Sequence, residues 1–172
     1  MTRNMCLLLL ILTAVLSTPG LSVSEEDSSQ GTICEGTYAL CTSAPCIPDP
    51  DNPESEAVCE CEVTSGKNFG MSECGDRSLS ETSDGVMKLQ SQYSFSQTPT
   101  KPVLLCPSGK PWTFCLDKPC VADPRNPLRA ICECEIMRKD EFVTLGGSCN
   151  TLTCGKAFWS GATVSDFESA SK

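Results

Sequence analysis

The sequence predicts a small disulfide-rich fold that contains β-strands and little helix, arranged as two tandem homologous cysteine-rich modules. Three observations predict it: 14 cysteines in 172 residues, an internal repeat that sorts twelve of them into two corresponding sets, and no window with a sustained apolar period of 3.6 residues. Dense cysteines in a short exported chain are typical of a disulfide framework. Halves of about 60 residues bury too little apolar surface to fold without cross-links.

The N-terminal segment indicates export from the cell. Arg3 precedes an apolar run from Cys6 to Leu16, and small residues follow, as in a secretory signal peptide. The run is shorter than the roughly 20 residues that a membrane-spanning helix needs. We therefore expect residues 1–23 to be a cleaved signal peptide, and the mature protein to be secreted, extracellular and without a membrane span.

The mature chain is predicted to be acidic. Without the signal peptide it keeps 12 basic and 22 acidic residues, a net charge of −10, and 13 of the 14 cysteines. This charge disfavours nucleic acid as a partner and suits a basic one. Residues 24–33 are acidic and polar, which predicts a flexible tail before the first module.

The internal repeat defines the two modules. YALCTSAPCIPDPDNPESEAVCECEV (38–63) aligns with WTFCLDKPCVADPRNPLRAICECEI (112–136) with one gap, and twelve positions are identical. Such self-similarity is the signature of a repeated structural unit. Extended at both ends, the alignment predicts a first module over 34–95, a linker over 96–105, a second module over 106–167 and a tail over 168–172.

Each module carries six cysteines that we assign to structural disulfides. They are Cys34, Cys41, Cys46, Cys59, Cys61 and Cys74 in the first module, and Cys106, Cys115, Cys120, Cys132, Cys134 and Cys149 in the second. Six cysteines allow 15 pairings, and spacing alone chooses none of them. Cys154 has no counterpart, so we expect it to be unpaired or to form an intermolecular disulfide, which could link a dimer.

The two Cys-Glu-Cys motifs predict strands. Residues i and i+2 of a strand face the same side, so the cysteines should point inward and the glutamate between them outward. Cysteines this close cannot bond to each other without strain, so each should pair elsewhere. Short strands are expected at 57–63, 92–95, 129–136 and 141–145. The two Asp-Pro-x-Asn-Pro segments should be turns in which Asp and Asn side chains cap backbone groups.

The cysteine spacing also suggests an alternative fold. The pattern C-x6-C-x4-C-x12-C-x-C-x12-C of the first module resembles epidermal-growth-factor-like (EGF-like) modules, which also have a single residue between their fourth and fifth cysteines. The second module has gaps of 8, 4, 11, 1 and 14 residues. Its third gap, like that of the first, is long and contains prolines.

No residue pattern indicates catalysis, a cofactor or a metal. The chain has no histidine, which excludes Ser-His and Cys-His nucleophile pairs and histidine acid–base chemistry. Thiolate metal sites need reduced sulfur, which export disfavours. The acidic loop at 49–56 loses its charges in the second copy, which argues against calcium. We therefore expect a protein that is not an enzyme, without catalytic, cofactor-binding or metal-binding residues.

Positions that differ between the copies are the candidates for recognition. The turn residues are kept, whereas Arg125, Leu128 and Arg129 stand where the first copy is acidic. We predict that these three residues form the recognition loop of a secreted binding protein, whose partner is an extracellular protein or matrix component. Two alternatives stay open: a protease inhibitor or toxin-like effector, with Arg129–Ala130 as the reactive bond, and an acidic component of the extracellular matrix.

Overall fold

The computed structural model describes residues 31–77, 80–96, 100–149 and 158–171. Within these residues the chain forms eleven β-strands, one 3₁₀ turn and one short α-helix. The prediction of a disulfide-rich β fold with little helix is confirmed. The predicted signal peptide, most of the predicted acidic tail and Cys154 lie outside the described residues.

We refer to residues 31–96 as the first half and to residues 100–171 as the second half. The strands of the first half are β1 (Thr32–Leu40), β2 (Pro45–Pro48), β3 (Glu56–Gly70), β4 (Ser80–Glu81) and β5 (Met87–Gln92). The strands of the second half are β6 (Val103–Cys106), β7 (Trp112–Phe114), β8 (Pro119–Asp123), β9 (Asn126–Met137), β10 (Phe142–Leu145) and β11 (Phe158–Thr163). The 3₁₀ turn (Cys74–Arg77) follows β3, and helix α1 (Val164–Ala170) follows β11.

Three of the predicted strands differ from the structure by more than one residue at an end, and of these β9, which begins at Asn126 and not at 129, differs least. β3 continues well past residue 63 because Gly66, with a φ of 137°, adopts a conformation that other residues rarely reach and pairs with Gly36 of β1. The expected strand at 92–95 is wrong over most of its length. β5 ends at Gln92, and Tyr93 adds a single isolated bridge to Phe69.

Strands from both halves join in one sheet. Its order is β2-β3-β1-β5-β8-β9-β7-β11-β10-β6, with β4 on β5 and with further pairings of β2 with β11 and of β3 with β9. In the antiparallel β3–β9 ladder, Cys59 faces Cys132, Ala57 faces Cys134 and Cys61 faces Ala130. The alignment equates Cys59 with Cys132 and Ala57 with Ala130. Replacing each residue by its counterpart in the other half therefore gives the same set of pairs, so the two halves take equivalent places in this ladder.

The last strand of each half packs against the other half. β5 lies parallel to β1 and antiparallel to β8, while β11 lies parallel to β7 and antiparallel to β2. On β5, the Ser91 hydroxyl donates to the Cys115 carbonyl and accepts from the Lys118 backbone N–H at 3.0 Å. On β11, the Ser160 hydroxyl donates to the Cys41 carbonyl at 2.6 Å. The halves therefore hold each other through matching serine bonds.

Six disulfides link twelve cysteines in the same nested order in both halves. The first cysteine bonds the sixth, the second bonds the fifth, and the third bonds the fourth. The pairs are Cys34–Cys74, Cys41–Cys61, Cys46–Cys59, Cys106–Cys149, Cys115–Cys134 and Cys120–Cys132. As expected from the motif, neither Cys-Glu-Cys pair is bonded internally.

The four inner disulfides form the centre of the core. Their cysteines are buried, and bonds from opposite halves touch. The Sγ atoms of Cys41 and Cys132 lie 3.6 Å apart, and those of Cys59 and Cys115 lie 3.5 Å apart. Because disulfide sulfurs carry no proton, these are packing contacts between the halves.

Candidate recognition surface

Strands β8 and β9 form a hairpin whose tip carries two of the candidate recognition residues. Asp123 Oδ1 accepts a hydrogen bond from the Arg125 backbone N–H at 2.9 Å, and Asn126 Oδ1 accepts one from the Leu128 backbone N–H at 3.3 Å. The disulfide that Cys120 forms with β9 closes the base of the hairpin. Asp and Asn therefore cap this turn as the sequence predicts.

The tip exposes an arginine and a leucine that the core does not use. The Arg125 side chain is 92% exposed, and its Nε lies 3.7 Å from Asp123 Oδ1. Leu128 is 67% exposed, more than any other large hydrophobic residue described. Apolar surface that stays in water does not stabilise the fold, so the exposed part of Leu128 is available for contact with a partner.

Arg129 lies on the sheet and not at the tip. Its Nε is 3.6 Å from Glu60 Oε1 on β3, and both side chains are about half exposed. The next residue, Ala130, is fully buried and faces Cys61. β9 is hydrogen-bonded to a neighbouring strand on each side. Its backbone is therefore not available to pair with a protease, which the Arg129–Ala130 bond would have to do to enter the active-site cleft as an extended strand.

The corresponding loop of the first half is tied to the sheet. Asp49 Oδ1 caps its turn by accepting from the Asp51 backbone N–H at 2.7 Å. Glu54 then receives two hydrogen bonds from Arg138 Nη2, one on its carbonyl and one on its carboxylate, both at 3.1 Å. The acidic loop is therefore anchored just beyond the end of β9, whereas the side-chain hydrogen bonds found at the tip of the β8–β9 hairpin, among the residues that the structure describes, all lie within its own turn.

The outer face of β2, β3, β9 and β8 carries a row of branched apolar side chains. Cysteines at alternate positions point inward, so the residues between them point outward. The register places Ile47 beside Val58 and Ile131 beside Val121. We name these four side chains the outer band. Ile47, Val121 and Ile131 are 58%, 42% and 41% exposed, and Val58 is partly buried.

Glutamates flank the outer band on both sides. They are Glu60, Glu62, Glu133 and Glu135, and all four are exposed. On neighbouring strands Glu60 faces Ile131 and Glu133 faces Val58. The arrangement is a strip of apolar surface with two pairs of carboxylates along its sides, and Lys88 of β5 faces Val121 at its β8 end.

The outer band was not predicted from the sequence, although the alternation around the paired cysteines contained a signal for it. Once Cys132 and Cys134 are assigned inward, Ile131 must face outward, because strand residues alternate between faces. The aligned residue of the first half, Val58, must face outward for the same reason, so both halves present an apolar side chain at this position. What could not be deduced is that Val58 would lie diagonally across from Ile131, opposite Glu133, since the β3–β9 pairing joins residues far apart in the chain.

Two groups of buried sulfurs meet the spacing of a metal site. In Cys41, Cys120 and Cys132, and again in Cys46, Cys59 and Cys115, the Sγ atoms lie within 4.8 Å of one another. All six are disulfide-bonded and therefore offer no thiolate, which is the form of cysteine that binds metals. Both groups are better explained as core packing.

No protein family, curated protein or solved structure matches the chain. The EGF-like alternative, the homologous modules and the matrix role therefore stay predictions from the sequence. In the part of the chain that the structure describes, no helix is long and apolar enough to cross a membrane.

Proposed function

We propose that this chain is a secreted, extracellular protein that binds another protein and catalyses no reaction, with the tip of the β8–β9 hairpin as its point of attachment. The observation that supports this most directly is the joint exposure of Arg125 and Leu128 beyond a hairpin closed by a buried disulfide. Arginine is a typical anchor of protein interfaces, and the exposed leucine beside it adds apolar area that a partner can bury.

The hairpin is suited to binding because it is already ordered. Association must order a mobile loop, and it also costs about 0.5–1.5 kcal/mol for each flexible side chain that is immobilised. A cross-linked hairpin avoids much of the first cost, because its backbone is already ordered. The partner would supply an apolar depression for Leu128 and a carboxylate for Arg125. Six disulfides in a chain of this length also favour an oxidising compartment, which supports the extracellular assignment.

Capture from extracellular fluid, with variants compared side by side, tests the proposal. Leu128→Ser and Arg125→Glu should each weaken capture of a given partner about tenfold or more, the equivalent of about 1.4 kcal/mol. Ile33→Ser and Lys110→Glu make the same chemical changes at exposed positions away from the tip and should leave capture unchanged. Equal capture by the tip variants and the native chain would show that the tip is not the attachment point.

Protease inhibition is the second candidate, since Arg125 is a basic residue on an exposed, cross-linked hairpin. It requires the protease to engage the bond after Arg125, because the Arg129–Ala130 bond lies in a buried strand pairing. Titration of a trypsin-like and a subtilisin-like protease with the mature chain separates the two functions. Stoichiometric inhibition that is lost in Arg125→Ala would replace the binding proposal.

A further inference from the structure

We propose that the outer band and its flanking glutamates form a second contact surface, which binds a basic and partly apolar polypeptide. This inference goes beyond the proposed function, because the surface lies on the outer face of the strands and includes neither Arg125 nor Leu128 at the hairpin tip. It holds or fails independently of the hairpin tip.

The outer band consists of two cross-strand pairs, Ile47–Val58 and Val121–Ile131, which lie diagonally across the β3–β9 ladder, where Glu133 faces Val58 and Glu60 faces Ile131. Ile47, Val58, Ile131 and Val121 lie on β2, β3, β9 and β8, and those strands are neighbours in that order. With neighbouring strands about 4.8 Å apart, the band extends about 15 Å. Single exposed aliphatic side chains are ordinary on protein surfaces, whereas a contiguous row of them marks an interaction site.

The charges around the band identify the kind of partner. Glu60 pairs with Arg129, and Glu135 Oε2 lies 3.8 Å from Lys118 Nζ. Glu62 and Glu133 form no ion pair within the described residues. Exposed ion pairs are worth about 0–1 kcal/mol, so a basic partner can displace both existing ones at little cost. Cationic side chains beside apolar ones would complement the surface.

The same charges argue against a second copy of this chain as the occupant. Two such faces packed together would place glutamates against glutamates, and like charges in direct opposition are unfavourable. Anionic surfaces such as nucleic acid are disfavoured for the same reason, which the net charge of −9 reinforces.

The surface also presents nearly the same pattern from either direction. The alignment equates Ile47 with Val121, Val58 with Ile131, Glu60 with Glu133 and Glu62 with Glu135. Exchange of the halves therefore maps the band and its glutamates onto themselves.

Peptide probes of about ten residues separate the two components of the surface. The test uses the mature chain and three peptides, one alternating lysine and valine, one alternating lysine and serine, and one alternating glutamate and valine. The lysine–valine peptide should bind, and the other two should bind at least about tenfold more weakly. Its affinity should fall as salt increases. Equal binding of the lysine–serine peptide would overturn the proposal in favour of plain charge attraction.

Variants locate the binding on the strip. Glu60→Gln with Glu133→Gln changes two exposed side chains without touching the core, and should weaken lysine–valine binding about tenfold. The matched control, Glu81→Gln with Glu168→Gln, alters two exposed glutamates elsewhere and should have no effect. Val58→Ser with Ile131→Ser should weaken binding similarly, with the disulfides checked by mass.

The two surfaces can be told apart in the same assay. Leu128→Ser should leave lysine–valine binding unchanged, and the Glu60→Gln, Glu133→Gln pair should leave capture through the hairpin tip unchanged. Peptide binding that survives both sets of strip variants would overturn this inference and leave the hairpin proposal standing.

Discussion

The two halves share a disulfide order and a strand register, but they differ in the side chains that pack against those strands. These side chains are apolar in the second half and largely polar in the first. In the second half, the rings of Trp112 and Phe142 stack with centroids 5.0 Å apart and an interplanar angle of 11°. Gly161 makes the stack possible, because a Cβ there would lie 2.8 Å from Phe142 Cδ2. This region is apolar and closely packed.

In the first half, Tyr38 stands where the second half has Trp112, but the positions that match Phe142 and Gly161 are polar. Asn68 corresponds to Phe142, because each lies opposite the first cysteine of its half, Cys34 or Cys106. Gln92 corresponds to Gly161, because each lies opposite the residue before the second cysteine, Leu40 or Phe114. These polar side chains extend a network that the second half completes.

Arg77 and Asp117 are the charged members of that network. Arg77 donates to Asn68 Oδ1 at 3.0 Å and to the carbonyl of Thr32 at 2.9 Å. Asp117, from the second half, accepts from Gln92 Nε2 at 2.8 Å and from the Met71 backbone N–H at 2.6 Å. Burial lowers the pKa of Arg77, and the carboxylate of Asp117 opposes that shift.

The difference shows that the cysteines and the strand ladders, and not one particular packing, define this architecture. Either an aromatic stack or a hydrogen-bonded cluster can fill the space beneath the same disulfides. The two solutions should respond differently to truncation, because a lost ring leaves a cavity and a lost polar group leaves unpaired partners.

The largest contrast should come from the matched positions 142 and 68. Phe142→Ala should lower the free energy of unfolding by about 3–5 kcal/mol, because it removes the stack and leaves a cavity. Asn68→Ala should cost about 1–3 kcal/mol, since it unpairs one donor of Arg77. Guanidinium unfolding with intact disulfides measures both, and equal costs would contradict the distinction between the halves.

Asp117 should be the polar residue that matters most between the halves. Asp117→Ala unpairs the N–H groups of Met71 and Ser72 and the Gln92 amide, so we expect a loss of about 2–4 kcal/mol. Asp117 has a φ of 56°, an angle that asparagine tolerates and alanine does not. Asp117→Asn therefore removes the charge without straining the backbone, and comparison with Asp117→Ala separates the two effects. Ser43→Ala, at the aligned position, should cost under about 1 kcal/mol. A cost for Asp117→Ala no larger than that would contradict the network.

Tyr93 should make the free energy of unfolding depend on pH in the alkaline range. Its buried hydroxyl donates to the Gly161 carbonyl at 2.5 Å and accepts from the Cys115 N–H at 3.2 Å. Burial raises its pKa, so the folded chain retains the phenol proton after the unfolded chain loses it near pH 10. The stability it contributes is complete below about pH 10 and declines above that pH.

Tyr93→Phe should therefore have two effects. It should cost about 1–3 kcal/mol at neutral pH, and it should flatten the decline of the unfolding free energy above about pH 10. Short measurements at a series of pH values test this, with Tyr38→Phe measured alongside, because burial also raises the pKa of Tyr38, the only other tyrosine, and the larger change should come from Tyr93→Phe. An unchanged alkaline slope would rule out Tyr93 as its source.

The exchanged serines should behave alike in spite of the difference between the halves. Ser91→Ala and Ser160→Ala each unpair one carbonyl and one N–H of the opposite half, so each should cost about 1–2 kcal/mol. The two values should agree within about 0.5 kcal/mol. A large difference, measured by denaturant unfolding, would show that the halves do not depend on each other equally.

Surface ion pairs should contribute least. Arg129→Ala breaks the exposed contact with Glu60 and should change the unfolding free energy by less than about 1 kcal/mol. A clear loss of stability would instead assign Arg129 a structural role and weaken its place in a recognition surface.

Much of the local structure could be predicted from the sequence. The inward cysteines and outward glutamates of 59–61 and 132–134 follow from strand alternation, and the capped turns follow from Asp49 and Asp123. The prediction at 92–95 failed because Tyr93 meets Phe69 in only one bridge. That bridge depends on a residue more than twenty positions away, which no local pattern reports.

By itself, the sequence determined the disulfide-rich β class, the facing of the paired cysteines and the chemistry of the turns, because these depend on neighbours a few residues apart. The tertiary structure decided which cysteines bond, that β3 pairs with β9, and that β5 and β11 pack on opposite halves. These are contacts between distant segments, and among 15 pairings in each half only the folded chain selects one. The outer band exists for the same reason, since two modest apolar pairs become one surface only when β3 and β9 meet.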